Sequence, residues 1–299
     1  MINKTVLVTG GAGFIGKHTI KALIEDGFKC IVADRKEQSV GLPCKYYKID
    51  VTSSELENVF KDNNINYIIH LSALPSVSES IKKPLIDCKD NYQATVNICT
   101  IAKKYNVKKI IFSSTAAVYA NPQYLPVDEK HLTNCLSPYA ITKSASENFI
   151  KYCGIDYIIF RYANVYGIGQ DTFGEAGVVA KFFELMSHNK PIQIHGNGKQ
   201  YRDFVYVEDV AKANVFALKA DIDNEIINVS TNTRTSINDL FEILKEELSY
   251  TLEPVYTAPR EGDIEKSILN NGKLISLLHF KPETDIKTGI RKMVEDYKV

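Results

Sequence analysis

The chain has 299 residues, 44% hydrophobic and 24% charged, with 36 basic and 36 acidic side chains that cancel to a formal charge of zero. That length admits about two domains or one large, elaborated one, and the composition excludes wholesale disorder. The charge balance argues against nucleic acid or an anionic membrane as a partner.

No apolar run approaches the roughly 18 residues of a membrane span. The opening MINKTVLVTGG reaches glycines before a signal-peptide core forms. Cys30, Cys44, Cys88, Cys99, Cys135 and Cys153 include no CxxC pair. This predicts reduced thiols, no metal centre and a cytoplasmic location. In chain order, runs with apolar or β-branched centres at Thr5–Thr9, Lys29–Asp34, Lys45–Asp50, Asn66–Leu71, Lys108–Ser113 and Asp156–Phe160 read as strands. Amphipathic stretches at Phe14–Asp26, Ser54–Asp62, Tyr92–Tyr105 and Tyr139–Tyr152 read as helices between them. The alternation predicts an α/β fold with a doubly wound, parallel Rossmann-type sheet. Continuous apolar strands such as YIIHL and KIIFS fit burial on both faces. After Gly167 glycines and shorter elements take over. A helix is predicted from Ser236, with Ser236 and Asp239 as a cap pair and Ile237, Leu240, Phe241, Leu244 and Leu248 on one face. Glu225–Val229 reads as a strand rejoining the first sheet. The expected organisation is a dinucleotide-binding domain over 1–165 and a smaller, partly discontinuous substrate domain over 166–299.

The first strand runs into Gly10-Gly11-Ala12-Gly13-Phe14-Ile15-Gly16. Gly10 permits the tight turn, Gly13 lets a pyrophosphate approach the backbone, and Gly16 lets the following helix pack closely. The helix start at Phe14 and Ile15 offers N–H groups and the positive end of the helix dipole to phosphates. Asp34 ends the second strand, where an acid binds both adenosine ribose hydroxyls and repels a 2′-phosphate, favouring NAD over NADP. Arg35 beside it pulls the other way. Asp50 and Val51 end the third strand and are candidates to touch adenine.

Tyr139 and Lys143, four apart in YAITK, share a helix face. A phenol with a pKa of about 10 must fall by about 3 units to work near neutrality, and an ammonium about 4 Å away supplies roughly that much at an effective dielectric near 20. The pair is therefore an acid/base device beside a nicotinamide, and the lysine is placed to bind the nicotinamide ribose. The fifth strand ends in FSSTAAVY, which sets Ser113 and Thr115 at the sheet-edge crevice. Thr115 is positioned to hold a substrate hydroxyl against Tyr139.

GxxGxxG, the late Ser/Thr strand and YxxxK together resemble the extended short-chain dehydrogenase/reductase superfamily. More narrowly, TGGAGFIG, HLSALPSVSES, NYQATVNI, FSSTAAVY, YAITK, RYANVYG, GNGKQYRDFVYVEDVA and PREGD resemble the UDP-glucose (UDP-galactose) 4-epimerase family across nearly the whole chain. The resemblance implies that Thr115 and Tyr139 are the catalytic hydroxyl and general base, with Lys143 activating the tyrosine. It places Leu71, Ser72 and Ala73, after His70, along the cofactor, with Asn91 bracing their strand. It makes Asn164, Arg202, Arg260 and Asp263 ligands of the nucleotide sugar. Ser267, four residues after Asp263, falls at a gate whose small side chain leaves room for a 2-acetamido group. The helices at Tyr92–Tyr105 and Tyr139–Tyr152 resemble those of a four-helix homodimer interface.

The reading is thus an NAD-dependent UDP-hexose 4-epimerase. Tyr139 takes the sugar 4-hydroxyl proton while hydride passes to NAD, the 4-keto sugar rotates, and hydride returns to its other face. Ala116-Ala117, where the related dehydratases carry an Asp-Glu pair, argues against dehydration. Two alternatives remain: an NAD(P)H-consuming nucleotide-sugar 4-ketoreductase with the same Thr–Tyr–Lys set, and a non-catalytic dinucleotide sensor.

Overall fold

The computed structural model describes residues 4–38, 43–171, 177–259 and 264–297. The strands are β1 (Thr5–Thr9), β2 (Lys29–Asp34), β3 (Lys45–Lys48), β4 (Tyr67–His70), β5 (Lys109–Thr115), β6 (Asp156–Tyr162), β7 (Asn164–Tyr166), β8 (Gln193–His195), β9 (Tyr201–Arg202), β10 (Phe204–Tyr206), β11 (Glu225–Val229), β12 (Thr235–Ser236) and β13 (Val255–Thr257). The α-helices are α1 (Phe14–Glu25), α2 (Leu56–Lys61), α3 (Val77–Lys82), α4 (Pro84–Asp87), α5 (Ala94–Lys104), α6 (Pro138–Cys153), α7 (Val178–Ser187), α8 (Val207–Lys219), α9 (Ile237–Leu248), α10 (Gly272–Leu278) and α11 (Ile286–Tyr297). A π-helical turn, Cys88–Gln93, carries α4 directly into α5.

Seven strands form one parallel sheet in the order β11-β6-β5-β4-β1-β2-β3. Successive residues explain its layering. Val6 and Val8 join one core while Leu7 joins the other, and the same split separates Ile69 from Ile68 and Ile111 from Ile110. Strands covered on both faces need this run of apolar residues. Helices α1, α8 and α10 cover one face; α2, α5 and α6 cover the other. The chain reverses direction across the sheet between β1 and β4, opening a crevice at their carboxyl ends. A third core gathers α7, α9 and α11 around Tyr166, Phe204 and Tyr206. Strand β11 pairs with β6 at the edge of the main sheet, although β7 to β10, α7 and α8 intervene in sequence.

Local signals set several boundaries. Ser137 caps α6 by accepting from the Ala140 amide at 3.2 Å, and Gly154 closes it at φ 77°. Ser236 and Asp239 form a reciprocal capping box on α9. Several expected bounds shift, β6 for example running on to Tyr162. Strand β5 runs two residues further than predicted, so Thr115 is its last member. Strand β3 stops at Lys48, and Asp50 lies in the following turn, where its Oδ1 accepts from the Thr52 amide and hydroxyl at 2.9 and 2.8 Å. The helix expected at Tyr92–Tyr105 is one end of a longer rod that starts at Pro84, whose fixed φ suits the first helical turn.

Candidate active site

The glycine turn is dictated by backbone crowding. A side chain on Gly10, at φ +73°, would meet the Ser72 amide nitrogen at 2.6 Å, so the turn after β1 lies against the loop after β4. A Cβ on Gly16 would meet the Gly10 carbonyl at 2.3 Å, as close helix packing requires. Gly13 meets only that carbonyl, at 3.1 Å, and is otherwise open. It is the N-cap of α1 and no side chain caps the helix. The amides of the first turn at Phe14, Ile15 and Gly16 are thus left for an incoming anion. This cradle fits the pyrophosphate of a dinucleotide.

Asp34 is buried at the end of β2. Its Oδ2 accepts from the Ala12 amide at 3.0 Å and its Oδ1 from the Lys36 amide at 2.9 Å. Each carboxylate oxygen retains acceptor capacity for a ribose hydroxyl. Arg35 turns away to Asp90, at 2.8 Å, as a charge contact rather than a directed hydrogen bond. Val51 is buried, and Asp50 is held below its ordinary value. Partial burial opposes that shift, but the Thr52 hydrogen bonds, Lys89 and Arg35 outweigh it.

Leu71, Ser72 and Ala73 are half-buried in the loop after β4, with the Leu71 amide donating to Thr9 at 3.1 Å. A chain of hydrogen bonds fixes this loop. The Thr95 hydroxyl donates to the Asn91 carbonyl at 2.7 Å, so it accepts from His70 Nε2 at 3.0 Å. His70 Nδ1 then accepts from Thr9 at 2.9 Å, and Thr9 from Ser72 at 3.2 Å. Burial, reinforced by the Lys143 charge, pulls the imidazole down to about 3, so it is neutral in this chain. Asn91 lies in the π-helical turn, and its Oδ1 accepts from the Leu74 amide at 2.7 Å. It therefore braces the loop beyond β4 rather than the strand itself.

Strand β5 and helix α6 bring the proposed catalytic residues together. The Lys143 ammonium is buried and donates to the Ser113 carbonyl at 2.6 Å. Its Nζ sits 4.7 Å from the centre of the Phe112 ring. Thr115 caps a short 3₁₀ turn, accepting from the Ala117 amide at 3.2 Å, and its hydroxyl faces the Tyr139 phenol. The electrostatics depart from the sequence-based arithmetic. Burial pushes the Tyr139 phenol up to about 12; Thr115 works against this rise and Asp87 adds to it. Burial also brings the Lys143 ammonium down to about 7, opposed by Asp87 and Glu147. Lysine at helical spacing does not by itself deliver a low phenol pKa, because both groups leave water together.

On the other side of the crevice, three predicted substrate residues are tied to one short segment. The Asn164 amide donates to the Asp203 carbonyl at 2.9 Å, Arg202 ends β9, and the Ser267 amide donates to the Tyr201 carbonyl at 3.2 Å. Asp203 is fully buried and holds the Thr231 and Asn232 amides at 2.9 and 3.0 Å. Arg260 and Asp263 lie outside the described residues.

Sequence reasoning missed the second layer. Glu147, one turn after Lys143, is buried against Arg161, which donates at 3.0 and 2.6 Å. Glu147 also accepts from the Ser114 hydroxyl. Asp87 is buried between Asn91 and Thr142. The four-residue spacings Asp87–Asn91 and Lys143–Glu147 were visible; their partners on other elements were not. Among the described residues no cluster of His, Cys, Asp or Glu is placed to hold a metal, and no helix is long and apolar enough to cross a membrane.

Residues 6–230 match the model of the NAD-dependent epimerase/dehydratase family. A Methanocaldococcus jannaschii protein provisionally named UDP-glucose 4-epimerase is 42% identical over 298 residues, covering 97% of both chains. The UDP-glucose 4-epimerase of Thermotoga maritima, solved with UDP-glucose, superposes with a TM-score of 0.95 at 39% identity over 98% of both chains. The UDP-N-acetylglucosamine 4-epimerase of Methanobrevibacter ruminantium, solved with UDP-N-acetylmuramic acid, gives 0.94 at 35% identity over 100% of this chain and 99% of that one. With a glycine cradle that fits a dinucleotide and relatives matched end to end, this chain belongs to the NAD-dependent epimerase/dehydratase family.

Proposed function

We propose that this protein interconverts UDP-hexoses at C4 with NAD as cofactor. The observation that carries the reading is the convergence of Thr115, Tyr139 and Lys143 at the carboxyl edge of β5, one strand beyond the β4 loop that packs on the glycine turn. Tyr139 takes and returns the proton of the sugar 4-hydroxyl, and Thr115 holds that hydroxyl. Lys143 favours the phenolate and directs a remaining N–H to the nicotinamide ribose. When bound, NAD would supply the reversible redox partner for C4, and its nicotinamide charge would oppose the rise that burial imposes on the phenol. Asp34 receives the adenosine ribose, the amides of Phe14, Ile15 and Gly16 receive the pyrophosphate where Gly10 and Gly13 let it approach, and Asp50, Val51, Leu71, Ser72, Ala73, Asn91 and Ser113 line or brace the cofactor site.

Asn164, Arg202, Arg260 and Asp263 are assigned to the UDP-sugar; two arginines suit a diphosphate through charge-assisted bonds. Ser267 leaves space for N-acetyl sugars, a range supported by the likeness to an N-acetylglucosamine epimerase. Residues 1–165 with strand 225–229 are the NAD-binding unit, and 166–299 mainly the sugar-nucleotide unit. The working form is a homodimer. In support, Ile81, Leu85, Ile141 and Tyr152 on α3, α4 and α6 are 62, 85, 55 and 82% exposed, an apolar patch that a second copy would cover. The cytoplasm keeps its six free thiols reduced.

The test is turnover of UDP-glucose, UDP-galactose and their N-acetyl counterparts, with products resolved by NMR. Epimerisation yields both epimers with no net change in NADH absorbance. Stoichiometric NADH formation with a 4-keto product, the ketoreductase reaction run in reverse, would make it a ketoreductase, and NAD binding without turnover a sensor.

A further inference from the structure

Asp87 closes α4 and is fully buried. Its Oδ2 accepts from the Thr142 hydroxyl and its Oδ1 from the Asn91 side-chain amide, both at 2.7 Å. Thr142 sits between Tyr139 and Lys143, so this bond fixes the turn of α6 that carries both. A carboxylate only accepts, which forces Asn91 to present its NH₂ to Asp87 and its oxygen to the Leu74 amide, at 2.7 Å. One side chain thus ties α4, α6 and the cofactor-side loop together.

A neutral amide could also meet both partners, its oxygen accepting from Asn91 and its NH₂ donating to Thr142, whose hydroxyl proton has the Tyr139 carbonyl at 3.1 Å as another acceptor, so the hydrogen bonds do not by themselves explain why a charge is buried there. A buried charge requires a counter-charge, and the neighbours narrow the choice. On α6, Glu147 is matched by Arg161 of β6. On the π-helical turn, Asp90 is matched by Arg35 beside β2. Lys83, which precedes α4, is drawn to Glu79. His70 of β4 is neutral, and Tyr139 carries no positive charge. Among the described residues Lys143 remains: it follows Thr142 on α6, its Nζ is held by the Ser113 carbonyl rather than by a direct ion pair with Asp87, and the Asp87 charge reaches it through space. We propose that Asp87 is a positioning residue of the reaction, its two hydrogen bonds setting the register of α6 against the cofactor loop while its negative charge acts through space on the Lys143 ammonium that Ser113 holds.

The proposal rests on the epimerase reading, and the two fail differently. Wild-type kcat for UDP-galactose is measured across pH first; absence of turnover overturns the reaction itself. Given turnover, Asp87→Asn removes the charge at nearly constant shape. A negative charge favours the protonated form of both Tyr139 and Lys143, so its loss moves both limbs of the profile to lower pH, by about one pH unit. A tyrosinate absorbance titration of the NAD-loaded protein, taken as the difference from the same chain with Tyr139→Phe, shows the phenolate at correspondingly lower pH. Thr142→Val cuts the bond but keeps the charge, and lowers kcat with both limbs unmoved. Asp87→Ser, smaller and equally neutral, repeats the test if Asp87→Asn does not fold. A neutral Asp87 variant with wild-type limbs overturns the proposal. So do limbs displaced by Thr142→Val, an arm that decides the matter even where neither neutral variant folds.

Discussion

The carboxylate of Asp34 and the amide of Ala12 are joined at 3.0 Å across the turn that follows β1. The acid assigned to the adenosine ribose therefore also holds the glycine loop assigned to the pyrophosphate. Arg35, the neighbouring cation that could receive a 2′-phosphate, is drawn instead to Asp90. Asp34→Ala is expected to weaken NAD roughly 10- to 100-fold, the worth of a charged hydrogen bond, while NADP weakens less. Calorimetric titration with both cofactors checks this; equal wild-type affinities would remove its basis.

Tyr139→Phe keeps the ring and removes the proton-transfer group. It should lower kcat by about 10²- to 10⁴-fold and leave NAD and UDP-sugar affinity within a few-fold. Near-normal kcat would remove Tyr139 from the chemistry.

Lys143 also gives a stability prediction. Its pKa falls from the ordinary lysine value to about 7 on folding, chiefly by burial, so the unfolded chain binds its proton more tightly. The resulting destabilisation is full below about pH 7 and is relieved as pH rises towards the unfolded value. In protein stripped of nucleotide, Lys143→Met removes this cost but leaves the Asp87 charge without its counter-charge, so the two oppose each other at neutral pH; relative to wild type, the Tm of the variant should fall as pH rises from about 7 towards 10. A relative Tm that rises with pH would contradict the assignment.

The buried Glu147–Arg161 pair predicts strong coupling. Arg161→Met leaves a carboxylate buried without its partner and should cost about 3–5 kcal/mol. Adding Glu147→Leu should recover much of that. Denaturant unfolding of the single and double variants measures it, and additive losses would mean that the pair is not a unit.

Ser267→Tyr should reduce kcat/KM for UDP-N-acetyl sugars by roughly 10- to 200-fold and largely spare UDP-glucose and UDP-galactose. Equal losses on both classes would show that residue 267 does not set the range.

Adjacent residues carried much of the molecule. The apolar centres of β1, β4 and β5, the spacing of Gly10, Gly13 and Gly16, the capping box at Ser236 and Asp239, and the four-residue step from Tyr139 to Lys143 are local patterns. Their physical causes, alternation on a strand, crowding at a turn and the pitch of a helix, act over a few residues and are legible in a linear chain. Folding alone decided what depends on partners far away in sequence. It set Asp87 against Thr142, Glu147 against Arg161, and Arg35 against Asp90. It also reversed the expected fall of the Tyr139 phenol in the protein alone, because burial acts on tyrosine and lysine together. Desolvation depends on everything packed around a group, and no spacing along one helix encodes it.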